Sequence, residues 1–310
     1  MKKIYYGGQA VLEGVMMQGP EGKAIACRLA NGELTYKIVA KKPLKIRYPI
    51  LGWPIIRGCA SFIESLYSGI QDLTWSAAQA GESESEKLTT KEIIFAVVFA
   101  FVIAIGFFVV IPVFLANPIR AIFGDFGRSL FESLLRIIFF VIYIVFISRM
   151  EDIKRLFAYH GAEHKTISTY EAGEELTVEN ARQHTTIHPR CGTSFLLMAM
   201  ILMIIIFTFV GQTDPLHRIL IKVCCMPIVA GLSYELFRLP LKFPHSRIVG
   251  ILVTPGLWMQ HLTTKEPDDS QLEVAIASLR AVPGFVPNSA CANQQEVSAS
   301  GIEKANPAEA

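Results

Sequence analysis

The sequence predicts a mainly α-helical, polytopic membrane protein with about four transmembrane helices, a small N-terminal β-hairpin region and a cytoplasmic helical loop. Composition is the first reason: of 310 residues, 52% are hydrophobic and 18% are charged, which is too apolar for an ordinary soluble domain. The second reason is that long apolar segments alternate with segments rich in Lys and Arg, as in chains that cross a bilayer several times. A formal net charge of +2 does not favour nucleic acid as a partner.

Changes in composition predict how the chain is divided. In order, we expect a β-rich cytoplasmic region (1–50), an amphipathic helix with an acidic linker (51–92), a transmembrane helical hairpin (93–148), a cytoplasmic loop with a metal site (149–194), a second transmembrane hairpin (195–237), an interfacial segment with a short helix (238–282) and a disordered tail (283–310).

The N-terminal region contains a hairpin signal. Residues 23–29 and 33–39 flank Asn31-Gly32, the dipeptide that best tolerates the positive φ angles of a tight turn. Because an isolated hairpin is only marginally stable, we expect it to pair with residues 9–17. From Pro54 to about Ala80, apolar residues recur three and four apart, which predicts an amphipathic helix on the membrane surface or over the cytosolic region.

Four apolar runs are the transmembrane candidates, namely residues 93–116, 130–148, 195–210 and 219–237. The first contains no charged residue and is longer than the roughly 20 residues needed to cross the hydrocarbon. Glu132, Arg136 and Lys222 lie near the ends of their runs, so we expect these side chains to extend towards the headgroups.

The distribution of basic residues predicts the orientation. Residues 1–92, 149–194 and 238–310 contain twelve, six and six Lys and Arg, whereas 117–129 and 211–218 contain two and one. Because basic segments tend to stay in the cytoplasm, we expect a multi-pass protein of the cell membrane with both termini cytoplasmic. The six cysteines include no Cys-x-x-Cys pair, so a disulfide framework is not expected and a reducing compartment fits.

The densest chemistry lies at His160, Glu163 and His164. The two histidines are one helical turn apart, so both imidazoles project from one face, and Glu163 flanks that face. The spacing His-x-x-Glu-His is the inverse of the common zinc-protease motif, in which two histidines bind a divalent metal and a carboxylate takes a proton from water. We expect zinc, with iron or manganese as alternatives. Two histidines satisfied by hydrogen bonds alone are the competing interpretation.

Residues 150–172 contain no proline and precede Gly173, which predicts one helix with both histidines on its inward stripe. A zinc site needs more than two protein ligands. His188 is the first candidate, because Pro189 disfavours helix there and lets the residue point back at this helix; Glu179 and then Cys191 follow. Glu171 is an accessory candidate, about 10 Å along the axis from His164.

Residues 188–194 lead into the third apolar run. Amide groups at the start of that helix favour an anion beside Arg190 and would activate the Cys191 thiol, with His188 as its base. Arg190 by itself also fits the positive-inside pattern. Glu235, at the cytoplasmic end of the last run, is an accessory candidate as a ligand or as a partner of a ligand. Further on, Ser270 to Glu273 form a capping-box pattern that opens a short helix.

Several of these stretches together are similar to one family. They are Tyr6-Gly7-Gly8-Gln9-Ala10-Val11-Leu12-Glu13-Gly14-Val15-Met16-Met17, Tyr159 to Lys165, His188 to Phe195, Ser233-Tyr234-Glu235 and Thr263-Thr264-Lys265-Glu266-Pro267. Over roughly residues 5–282 the chain resembles the YqhQ-like family of uncharacterised bacterial membrane proteins. The resemblance implies a metal-dependent enzyme of the bacterial inner membrane, without an established substrate. In this resemblance, the family's His/Glu motif corresponds to His160, Glu163 and His164. Its His-Pro-Arg-Cys-Gly-Thr motif corresponds to His188 to Thr193.

The leading hypothesis is a metal-dependent hydrolase at the cytoplasmic face of the membrane. Glu163 would be catalytic, and the metal ligands would come from His160, His164, His188 and Glu179. The expected partners are the lipid bilayer, an unknown interfacial substrate and other copies of the chain. A non-catalytic scaffold or assembly factor with a structural metal is the alternative, and a transporter is a third hypothesis because Lys222, Pro227 and Glu235 interrupt the last apolar run.

Overall fold

The computed structural model describes residues 4–40, 52–80, 90–208, 214–239, 243 and 246–287. The fold is mainly helical with a small antiparallel sheet at the N-terminal end, as predicted. The chain forms two compact units. The first comprises Met1–Lys42, Arg155–His188 and Thr264–Ala310, and the second comprises Pro43–Lys154 and Pro189–Thr263. The predicted acidic linker after residue 80, the end of the third apolar run and the tail beyond residue 287 lie outside the described residues.

The helices and strands follow one another along the chain in a fixed order. The strands are β1 (Gly7–Val11), β2 (Gly14–Gln18), β3 (Gly22–Arg28) and β4 (Leu34–Ala40). The helices are α1 (Ile56–Ala80), α2 (Thr90–Ile105), α3 (Ile111–Ala116), α4 (Arg120–Ile147), α5 (Glu151–Ala172), α6 (Val178–Gln183), α7 (Gly192–Thr208), α8 (Pro215–Phe237), α9 (Arg247–Thr263) and α10 (Asp269–Arg280). A π-helical turn (Gly106–Val110) and a 3-10 turn (Asn117–Ile119) flank α3.

The sheet of the first unit is a four-stranded meander in the order β1-β2-β3-β4. The predicted hairpin is β3–β4, and Gly32 in its turn has a φ of +86°. The expected pairing of this hairpin with residues 9–17 is made by β2, which pairs with β3. The earlier part of that stretch lies in β1, which forms a second hairpin with β2. The connection between these two strands includes Glu13, which has a φ of +50°.

Helix α10 covers β2 and β3 and completes the core of the first unit. Leu272 and Leu279 are fully buried, and the Ser278 hydroxyl donates to the Ala24 carbonyl at 3.1 Å. The capping box begins at Asp268 and not at the expected Ser270: the Asp268 side chain accepts from the Gln271 N–H, and the Gln271 side chain accepts from the Asp268 N–H. Aspartate is an equally good N-cap, so the spacing alone could not choose between the two positions.

Two helical stretches of the second unit are long and apolar enough to cross a membrane, Phe95–Ile147 and Pro215–Phe237. Gly192–Phe207 is equally apolar but shorter, so the predicted number of four transmembrane helices is not confirmed. The first stretch folds back on itself, which brings the rings of Phe107 and Phe139 into a stacked contact with centroids 5.0 Å apart.

Contrary to the expectation, the polar residues of these apolar helices do not extend outwards. The side chains of Glu132, Arg136 and Lys222 are 1%, 5% and 9% exposed. The expectation was wrong because Glu132 pairs inside the second unit with Arg136 of its own helix and with Lys222 of another helix. Sequence position could not show the contact with the other helix.

Helix α1 is amphipathic, as predicted, but its small residues form the face that packs on α8. A Cβ added to Gly58 would lie 2.7 Å from Gly231 Cα and 2.6 Å from the Gly231 carbonyl oxygen. The large apolar residues Phe62, Ile63 and Leu66 are instead exposed. Within the described residues, the apolar stripe of α1 is therefore mostly uncovered by protein.

Replacing Gly58 by alanine should lower the thermal unfolding midpoint of the detergent-solubilised protein. Added atoms in a packed contact with backbone cost about 1–3 kcal/mol. The matched control is Gly250→Ala in α9, where a Cβ meets nothing within 4 Å and alanine should stabilise the helix by about 0.5–1 kcal/mol. Equal effects of the two substitutions would contradict the close packing of α1 on α8.

Candidate metal centre

Helix α5 carries the three residues of the His-x-x-Glu-His motif. It runs unbroken from Glu151 to Ala172 and is followed by Gly173, whose φ is +80°. The rings of His160 and His164 lie 4.4 Å apart, and a ligating nitrogen of each lies within 4.8 Å of the other. His164 is 1% exposed, whereas His160 is half-buried. Helical spacing alone thus brings both imidazoles to one place.

A backbone hydrogen bond fixes the protonation of His164. Its Nδ1 lies 2.5 Å from the Thr186 carbonyl oxygen. A carbonyl oxygen only accepts hydrogen bonds, so in the neutral ring Nδ1 carries the proton and Nε2 keeps the lone pair. A second-nitrogen bond of this kind orients most metal-binding histidines.

His188 joins the histidines of α5 from the segment that follows α6. Its ring lies 5.6 Å from that of His164, and its Nε2 lies 3.5 Å from a carboxylate oxygen of Glu171. Glu171 is therefore placed beside a histidine and not beside the paired imidazoles of the motif. A carboxylate at one ring nitrogen raises the basicity of the other, which is again typical of metal-binding histidines.

Polar contacts hold the segment between α6 and His188 against α5. The Lys165 ammonium, 3% exposed, donates to the Arg182 carbonyl at 2.9 Å and pairs with Glu266 at 2.5 Å. The hydroxyl of Thr264 donates to that of Thr186 at 3.3 Å. The Thr-Thr-Lys-Glu-Pro stretch thus supports the segment that carries His188.

Glu163 is buried under strand β1. The backbone N–H of Gly8 donates to its carboxylate, and a Cβ on Gly8 would lie 2.8 Å from Glu163 Cγ. Burial raises the pKa of Glu163 to about 7, while the neighbouring His160 and the Gly8 hydrogen bond both lower it. A carboxyl group with this pKa exchanges protons near neutral pH, as a general base or acid requires.

The turn between β1 and β2 is bound to α5 as well. Arg155 makes a bidentate ion pair with Glu13, and the Tyr159 hydroxyl donates to the same carboxylate at 3.3 Å. Sequence reasoning missed Gly8 and Thr186 as neighbours of the site. The glycine pair at 7–8 was a usable signal for close approach, but Thr186 acts through its carbonyl group, which every residue has.

Of the remaining predicted residues, one belongs to the first unit and three belong to the second. Glu179 is exposed in the first turn of α6. Arg190, Cys191 and Glu235 belong to the second unit. There, Cys191 is buried with its Sγ 3.0 Å from the Thr193 hydroxyl, and Arg57 donates to both oxygens of Glu235.

The residues of the first unit fit a divalent metal. Three imidazoles from His160, His164 and His188 are nitrogen donors of the type that zinc prefers, and zinc commonly takes three protein ligands in catalytic sites. The Thr186 carbonyl oxygen holds one nitrogen of His164, and a Glu171 carboxylate oxygen lies 3.5 Å from Nε2 of His188. The opposite nitrogens of these two rings are suited to a metal.

The chain belongs to a family whose function is not known. Residues 53–284 match the family described as protein of unknown function DUF1385, and the chain is a member of that family. It is also 39% identical over 289 residues to the uncharacterised protein YqhQ of Bacillus subtilis (strain 168), covering 88% of this chain and 90% of that protein. The YqhQ-like resemblance is thereby confirmed. No solved structure matches the chain.

Replacing Gly8 by alanine should displace the Glu163 side chain. The added methyl would meet Glu163 Cγ and the Met16 carbonyl oxygen, at a cost of about 1–3 kcal/mol. Gly7→Ala is the matched control, because a Cβ there meets nothing within 4 Å. Thermal unfolding should show a lower midpoint for the Gly8 variant alone.

Glu163 should also make stability depend on pH. Its folded pKa is about 7, raised from 4.5, so the protonated form stabilises the fold fully below pH 4.5 and this contribution is lost as pH rises to about 7. The shift corresponds to about 3 kcal/mol. The free energy of unfolding of the chelator-treated wild type should fall more between pH 4.5 and 7 than that of Glu163→Gln, which has no carboxyl group at this position. Parallel pH dependences of the two proteins would contradict the raised pKa.

Proposed function

We propose that the protein is a membrane-bound, metal-dependent hydrolase. The observation that carries the proposal is the clustering of His160, His164 and His188 beside the buried carboxylate of Glu163. A divalent cation held by the three imidazoles would supply Lewis acidity towards a substrate carbonyl or phosphoryl oxygen. Zinc fits these donors best, with iron or manganese as alternatives.

Glu163 would accept a proton from the attacking water and then deliver it to the leaving group. Its pKa of about 7 suits both steps at neutral pH. Gly8 would hold the carboxylate in place through its N–H, since the glycine backbone already contacts Glu163. Glu171 and Thr186 would orient His188 and His164.

The membrane part of the proposal rests on the apolar helices and on the distribution of charge. The segment that carries the histidines is connected along the chain to Phe95–Ile147 before it and to Gly192–Phe207 after it. Its richness in Lys and Arg favours the cytoplasmic side. We therefore propose a multi-pass protein of the cell membrane with cytoplasmic termini, acting on a lipid headgroup, a membrane-protein segment or an anionic small molecule.

Metal analysis of the purified full-length protein tests the site. We expect about one tightly bound metal per chain in wild type and its loss in His160→Ala/His164→Ala. His188→Ala should lower metal affinity by about tenfold or more, whereas Glu179→Ala, at an exposed position, should have no effect. Loss of metal in the Glu179 or a Cys191→Ala variant, with retention in the His188 variant, would reassign the third ligand.

The Glu163→Gln variant separates an enzyme from a structural site. An enzyme keeps its metal in this variant but no longer complements a strain that lacks the gene. A scaffold with a structural metal keeps both metal and complementation, and would instead lose stability in His164→Ala. Wild type that binds no metal after reconstitution with zinc, iron or manganese would overturn the proposal.

A further inference from the structure

A buried cluster of charges in the second unit contains more positive than negative groups. Glu132 and Arg136 lie one turn apart on α4, and Arg218 and Lys222 lie one turn apart on α8. The Glu132 carboxylate accepts from Arg136 at 2.9 Å and also from Arg218 and Lys222. All four are at least nine-tenths buried. One carboxylate therefore faces three cations.

The excess charge continues towards the surface of this unit. Arg128 is fully buried, pairs with Asp125 at 2.6 Å and interacts electrostatically with Arg218. Arg120 lies 3.2 Å from the same Asp125, and these two side chains are about two-fifths exposed. Arg120 and Arg128 thus add two cations, and Asp125 adds one carboxylate, to the three cations around Glu132.

Loss of protons does not remove this excess. Arginine stays protonated in proteins, so even a neutral Lys222 would leave Arg136 and Arg218 facing Glu132 alone. Uncompensated charge in an apolar interior is costly. One donor of the cluster is also unsatisfied: Nη1 of Arg218 is buried and has no hydrogen-bond acceptor in the part of the chain that the structure describes.

The surroundings fix the cations in place. Nε of Arg136 donates to the Phe108 carbonyl at 2.7 Å. That carbonyl lies four residues before Pro112, which has no N–H to donate to it along the helix. The Lys222 ammonium lies 5.8 Å from the centre of the Phe207 ring. These contacts give the cationic groups a definite geometry before any ligand binds.

We propose that Arg218, Lys222 and Arg136 form a binding site for a phosphate-bearing anion. The planar fork of arginine matches phosphate, and a lysine beside it adds a further charge-assisted hydrogen bond. The phosphate would bind the Arg218 Nη1 and offset the positive excess around Glu132. It belongs to an anionic phospholipid or to free phosphate. This site is separate from the histidine cluster, and neither proposal depends on the other.

The test measures binding to the delipidated full-length protein. One arm titrates potassium phosphate against potassium chloride at equal ionic strength, and the other reconstitutes the protein in phosphatidylcholine bilayers with and without phosphatidylglycerol. A bound anion raises the unfolding midpoint with its concentration. A rise with phosphate alone identifies free phosphate, and a rise with phosphatidylglycerol alone identifies the lipid. No rise in either arm would overturn the proposal.

Two variants with opposite expected effects on anion binding make the test more specific. Arg218→Gln should weaken anion binding by about tenfold or more, the usual effect of losing a charged hydrogen bond. Glu132→Gln should strengthen binding, because it removes the carboxylate that competes for the same cations. Arg57→Gln is the matched control, since Arg57 pairs with Glu235 instead. If Arg218→Gln does not fold, the Glu132 variant decides: weaker binding there contradicts the proposal.

Discussion

A carboxylate removed from water has to be compensated by hydrogen bonds or by nearby positive charge, and the first unit is arranged around one such group. Glu163 lies on α5 beneath β1, where the backbone N–H of Gly8 donates to it. β1 is kept against this helix by its pairing with β2 and by the ion pair between Arg155 and Glu13. The buried face of α10 packs on β2 and β3 of the same sheet. The position of the Glu163 carboxyl group therefore depends on strands far away in the sequence.

The second unit meets the same cost in a different way. Its apolar helices contain a buried carboxylate, Glu132, surrounded by cations from two helices. The π-helical turn and Pro112 interrupt the regular hydrogen bonding before and within α3, and Arg136 satisfies the Phe108 carbonyl of that turn. A backbone irregularity and a buried arginine thus compensate for each other.

The stretches that define the family resemblance acquire physical roles in the structure. Gly8 and Glu13 of the first stretch contact α5. Lys265 and Glu266 of the last stretch also contact it, since the Lys265 N–H donates to the Phe157 carbonyl. Stretches from opposite ends of the chain therefore support the same helix.

The sequence by itself determined the mainly helical class, the β3–β4 hairpin, the extent of α5 and the pairing of His160 with His164, because turn preference and helical periodicity act over a few residues. Two capping patterns, beginning at Asp268 and at Ser270, were equally compatible with the start of α10. The sequence also could not determine that Gly8 covers Glu163 or that Thr186 fixes His164. It also misjudged Glu132, Arg136 and Lys222, since burial of a charge depends on which partner another helix provides. Only the tertiary structure decides such contacts, because they join residues that no local pattern relates.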